Sequence, residues 1–117
     1  MGGTVSAMAK AVLVVQSEAS SPEREDEYLD WYANTHVPDL CEVPGINSAR
    51  RFTLHSGGFG PADESVPKHL AIYEIESDDL DAVMQEIMTR TGDGRIKMTD
   101  AIQLDPVPVT LLYVERD

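Results

Sequence analysis

His69-Leu-Ala-Ile-Tyr-Glu-Ile-Glu76 is the stretch on which the fold turns. Its β-branched and aromatic content makes it a strand, and neighbouring residues on a strand point to opposite faces. Both parities are apolar: Leu70 and Ile72 share one face, while Ala71, Tyr73 and Ile75 share the other. Such a strand needs cover on both sides. Working outward, a Gly- and Pro-bearing loop from Ser56 to Lys68 separates it from another strand, expected over Asn47 to His55, and the two form a long-looped hairpin. Upstream, Ala9 to Ser17 contains the unbroken run Val12-Leu-Val-Val15, too short for a helix and suited to a central strand.

Between these strands a helix is expected to begin at Pro22, with Ser20 and Ser21 as caps and Glu23 and Glu25 near its positive end. It is expected to end near His36 or Val37, because Pro38 disfavours helical geometry in the residue before it and Pro44-Gly45 then makes a turn. Downstream, Ser77, Asp78 and Asp79 cap a helix in which Leu80, Val83, Met84 and Ile87 recur at helical spacing, with Thr91-Gly92 as its end. After an irregular segment from Gly92 to Pro108, Val109 to Glu115 reads as the last strand. The order strand, helix, strand, strand, helix, strand is the α+β ferredoxin-like βαββαβ arrangement with a four-stranded antiparallel sheet. Two helices cover one sheet face, so the other is expected to meet the same face of a second copy in a homodimer.

The 117 residues make one domain, 1–117, with 1–8 read as a flexible N-terminal extension. Lys and Arg number 9 against 21 Asp and Glu, a formal net charge of −12 that repels nucleic acid and anionic membrane surfaces. The early apolar run Ala11 to Val15 is far below the roughly 20 residues of a membrane span. The single Cys41 has no internal disulfide partner, which points to a cytoplasmic protein.

Around the first helix, at about 100° per residue, Tyr28, Trp31, Tyr32 and His36 fall on one arc, with Asp26, Asp30 and Asn34 opposite. That arc holds three of the five Trp and Tyr residues of a chain with only 6% aromatics. Two phenols, an indole and an imidazole facing the sheet make a small-molecule pocket in which apolar walls bind and a few polar tips orient. A histidine titrates near neutrality, so His36 is the candidate general acid or base. On the second strand only one of Arg50 and Arg51 can face the helices. If Phe52 packs on the opposite side, Arg51 joins Thr53 toward the pocket and is placed to bind an enolate or carboxylate oxygen.

The stretch Tyr28-Leu-Asp-Trp-Tyr-Ala-Asn-Thr-His36-Val-Pro-Asp-Leu40, followed by Val43-Pro-Gly45 and Ser48-Ala-Arg-Arg-Phe52, resembles the EthD-like branch of the dimeric α+β barrel superfamily. The resemblance extends in outline from Ala11 to Val114. It implies a ferredoxin-like protomer whose sheet pairs back to back with another, each keeping a cleft between sheet and helices. Superfamily relatives include muconolactone isomerases, aromatic polyketide cyclases, cofactor-free monooxygenases and haem-handling proteins. Haem-degrading relatives bind iron through a second-helix histidine, and Leu80 to Arg90 contains none, so a haem role here would need His36.

No metal-ligating pattern appears: His36, His55 and His69 form no His-x-x-x-His or His-x-Glu pair, although His55 and His69 could meet where the hairpin strands join. Cys41 reads as a structural thiol, and Gly57-Gly58-Phe59-Gly60 lies in a hairpin loop where no helix receives a phosphate. The expectation is a cofactor-independent isomerase, cyclase or lyase acting on an apolar oxygenated molecule. His36 and Tyr32 would be catalytic, and Tyr28, Trp31, Arg51 and Tyr73 would bind substrate. A ligand-binding or accessory dimer is the alternative, and cofactor-free oxygenation or haem handling the third.

Overall fold

The computed structural model describes residues 8–117, and the extension expected over 1–8 therefore lies, apart from Met8, outside the described residues. Strand β1 runs Ala9–Ser17 and β2 runs Ile46–Thr53. Strand β3 covers His69–Ser77 and β4 covers Val109–Val114. They form one antiparallel sheet in the order β2-β3-β1-β4, the ferredoxin-like arrangement expected from the element order. The second strand starts and ends earlier than its composition suggests. Gly45, with φ of 99°, places its carbonyl to accept from the Glu76 N–H at 2.9 Å, and a bulge between Ile46 and Ser48 absorbs the entry. A Cβ at position 45 would also meet Val83 Cγ2 at 3.1 Å.

The first helical segment departs most from expectation. Pro22–Arg24 is a 3₁₀ turn opened by Pro22, although the Ser21 side chain makes no cap hydrogen bond. Helix α1 follows over Glu25–Trp31, then a π-turn over Tyr32–His36, then α2 over Val37–Cys41. The chain thus stays helical past Pro38, correcting the end expected at His36 or Val37. The reason is local: the Val37 N–H donates to Tyr32 O, five residues back, and this wider turn precedes the proline ring, which would crowd a regular helix. Helix α3 covers Leu80–Asp93, with the Asp79 side chain accepting from the Ala82 N–H. It passes the expected stop at Thr91-Gly92 and closes at Gly94, whose φ of 88° is the left-handed geometry of a helix C-terminus.

Register assigns the faces. Cross-strand partners share a face, so Ala11, Leu13, Arg51, Thr53, His69, Ala71, Tyr73, Ile75 and Leu112 look toward the helices. Val12, Val14, Phe52, Leu70, Ile72, Leu111 and Tyr113 look the other way. Leu111 is 43% exposed there and Phe52 42%, while the opposite face buries Tyr73 completely. The segment expected to be irregular between α3 and β4 is core as well: Ile96, Ala101 and Ile102 are buried with Tyr28, Trp31, Leu40 and Val83. No helix of the described residues is long and apolar enough to cross a membrane.

Candidate functional site

Helical spacing puts Tyr28, Trp31 and Tyr32 against the sheet, and all three are buried. Tyr28 Oη and Ser17 Oγ are hydrogen-bonded at 2.6 Å, which ties the helix to the end of β1. Burial pushes the Tyr28 phenol up to about 12. Tyr32 meets Tyr28 edge to face at 5.5 Å, and burial raises its pKa although Tyr73 and Arg51 work against it. Both phenols are therefore neutral donors at ordinary pH. The Trp31 indole Nε1 donates to Lys97 O at 2.9 Å, and the Lys97 N–H donates to Asp39 Oδ2 at 3.0 Å.

His36 stacks on Trp31 at 4.5 Å and meets Tyr32 edge-on at 5.1 Å. Its Nδ1 is buried without a hydrogen-bond partner. Burial pushes the imidazole down to about 4 against the pull of Asp39, so it is neutral near pH 7. Tyr73 Oη is likewise buried without a well-formed hydrogen bond, and burial and then the neighbouring Tyr32 push its pKa up.

A cleft of about 220 Å³ opens where α1 and the π-turn face the β2-β3 hairpin; Tyr28, Tyr32, Arg51, Thr53, His69 and Ala71 line it. The Arg51 guanidinium carbon lies 5.2 Å from the Tyr32 ring centroid, a cation–π contact that holds one positive charge at the cleft wall. The β2-β3 register puts Phe52 on the opposite face, as the sequence reading required for Arg51 to point inward. Of the residues singled out by sequence, Tyr28, Tyr32 and Arg51 come together at this wall. Trp31, His36 and Tyr73 are not among the lining residues.

His69 stands where sequence reasoning expected a polar hairpin end. It is 8% exposed, its ring packs 5.1 Å from Tyr28, and its Nε2 lies 3.0 Å from Glu25 Oε2. Lys68 Nζ is 3.1 Å from the same carboxylate oxygen. Burial works to raise the Glu25 carboxyl, but Lys68 and His69 outweigh it and its pKa is lowered. The signal for His69 was its parity with Ala71 and Tyr73; nothing local distinguished Glu25 from an ordinary first-turn acid. His55 is exposed, and among the described residues no group of three or more His, Cys, Asp or Glu gathers to hold a metal ion. Burial raises the Cys41 thiol, in keeping with a structural role. His36, the ligand that the haem reading required, stacks on Trp31 and has its Nδ1 buried. A larger depression, about 420 Å³, gathers Lys10 with Glu74, Glu76 and Glu115 and contains none of the first-helix aromatics.

No protein-family model and no curated protein matches the chain. Among solved structures, an ethyl tert-butyl ether D (EthD) family protein from Bacillus halodurans C-125 superposes with a TM-score of 0.56 at 17% identity, covering 93% of this chain and 100% of that one. The fold is EthD-like. A candidate monooxygenase from Shewanella loihica PV-4 also has a TM-score of 0.56, at 15% identity, over 91% of this chain and 93% of its own. At such identities the EthD-like fold is what is shared, and the chemistry of the cleft has to be argued from its own residues.

Proposed function

We propose that the cleft receives a small apolar molecule carrying an oxygen that becomes negative, and that the protein moves a proton on it in isomerase, cyclase or lyase fashion. The observation that carries this reading is Arg51 at the wall beside the neutral Tyr32 phenol, a cation and a hydrogen-bond donor for the same oxygen. Tyr28 and Ala71 supply apolar surface, while Trp31 and Tyr73 brace the wall from behind. His36, expected to move the proton, lies behind Tyr32 at 5.1 Å between rings and is not among the residues that line the cleft.

The protein acts in this reading as a homodimer through the open sheet face. Partial exposure of Phe52, Leu111 and Tyr113 on one surface supports this, because contiguous apolar patches of that kind mark interaction sites. A binding or accessory dimer is the second reading, supported by the enclosed, neutral His36 and by the existing Tyr28–Ser17 hydrogen bond. The Shewanella neighbour adds oxygenation of the bound anion as a third, distinguished by oxygen uptake.

Native mass spectrometry of the purified protein, followed by deuterium exchange into the released ligand in D₂O, tests the proposal. Exchange of a ligand C–H that the protein accelerates and Arg51→Met does not supports proton transfer. A ligand retained but never exchanged moves the protein to the binding class.

A further inference from the structure

We propose that His69 is the proton-transfer residue of the cleft, with Glu25 as its positioning carboxylate. This rests on the acid–base reading above and supplies the cleft-lining base which that reading lacks. Three observations carry it. First, His69 is the imidazole that lines the cleft, on the same sheet face as Arg51 and one diagonal away: Thr53 pairs with His69 and Arg51 with Ala71. Diagonal neighbours of this kind lie roughly 7–8 Å apart at the backbone, enough to hold a small flat molecule between the two side chains.

Second, its Nε2–H donates to Glu25 Oε2 at 3.0 Å. A carboxylate on one ring nitrogen fixes the tautomer of the neutral ring, in which the other nitrogen carries the lone pair that can accept a proton. Third, that other nitrogen is open. His69 Nδ1 makes no hydrogen bond among the described residues, and the buried orphan polar atoms there are His36 Nδ1 and Tyr73 Oη alone. His36 Nδ1 is buried, whereas His69 Nδ1 is not among those buried atoms and belongs to a side chain that lines the cleft.

The substrate this arrangement takes is a flat, apolar molecule with an acidic C–H beside a bond whose breaking or shifting leaves charge on oxygen. His69 Nδ1 takes the proton, the C–H electron pair moves into the ligand, and the oxygen that gains charge rests on Arg51 and the Tyr32 hydroxyl. The charged and titratable groups around the imidazole are Glu25 on α1, Lys68 on the preceding loop, Tyr28 and Tyr32 on the first helical segment and Arg51 on β2.

The probe is 5-nitrobenzisoxazole, an uncharged ring in which removal of the C–H proton drives N–O cleavage to a nitrile and a coloured phenolate, with no other reactant consumed. The wild-type protein should accelerate this above buffer. His69→Gln should lose at least tenfold of the acceleration, and the exposed His55→Gln none. Glu25→Gln should lower the rate and move its pH profile, and Glu25→Asp should restore part of both, which a purely structural Glu25 would not do. If His69→Gln fails to fold, checked by circular dichroism, Glu25→Gln and its pH profile decide alone. Loss in His36→Gln with retention in His69→Gln overturns this inference while leaving the acid–base function standing. A wild-type protein no faster than buffer overturns both.

Discussion

The Arg51 guanidinium and the Tyr32 ring lie 5.2 Å apart, the cation on β2 and the ring on the π-turn of the first helical segment. Among the described residues the Arg51 guanidinium makes no ion pair, and its recorded contact is with the Tyr32 ring face. Arg51→Met should preserve the fold and weaken binding of an aromatic carboxylate such as 4-nitrobenzoate by about tenfold or more, since a hydrogen bond to a charged group contributes about 1.5–3 kcal/mol. Isothermal titration measures this; equal affinity in the two proteins removes Arg51 from the site.

His36 gives the protein a pH signature. Burial pushes its pKa in the folded protein down to about 4, below the ordinary imidazole value of 6.5, so between those values the unfolded chain binds the extra proton. Stability contributed by the neutral ring is full above about pH 6.5 and falls as the pH drops toward 4, by roughly 3 kcal/mol at 1.36 kcal/mol per unit. Urea unfolding at pH 7 and pH 5 should show a larger loss for wild type than for His36→Gln. Parallel losses in the two proteins would mean that the ring is solvated.

Two phenols should respond oppositely to loss of their oxygen. Tyr28→Phe leaves Ser17 Oγ without its 2.6 Å partner and should cost about 1 kcal/mol. Tyr73→Phe removes a buried hydroxyl that has no good partner and should leave stability unchanged or raised. Thermal melts of the pair decide, and a Tyr73→Phe protein several degrees less stable would show that this hydroxyl is bonded in solution.

The proposed dimer has its own test. Leu111 lies on the open sheet face opposite Val14, far from the cleft side of the sheet. Leu111→Asp should place a charge in the interface and give a folded monomer by light scattering, whereas wild type should scatter as a dimer. A wild-type monomer at micromolar concentration would leave the apolar face without its proposed cover.

Element order and sheet faces could be read because period-two alternation and turn residues act locally: β3 starts at His69 as expected, and its two apolar parities divide between a helix-covered face and an open one. The inward turn of Arg51 followed from the same alternation. The passage of helix through Pro38 was hidden because a hydrogen bond from Val37 to Tyr32, rather than any propensity, accommodates the ring. Ile96, Ala101 and Ile102 carry no periodicity, yet tertiary contact makes them core. The Glu25–His69 pair joins residues 44 apart, a proximity created only when α1 docks on β3. His36 shows the limit of a helical wheel, which gives the side of a helix but not which neighbour stands in front.

The π-turn at Tyr32–His36 works as a phase shifter. One surplus residue within an otherwise continuous helical path rotates everything after it by about 100° relative to an uninterrupted helix. Tyr28 and Trp31 before the insertion, and Leu40 after it, nevertheless all reach the core. The two halves have therefore been tuned to a path one residue too long. Removing a single residue between Ala33 and Thr35 would swing Leu40 out of register with Trp31 and set the Pro38 ring against a regular helical turn. The shortened chain would thus lose its grip on the sheet, and alignments of this segment that forbid a one-residue gap would pair the wrong side chains on one side of it.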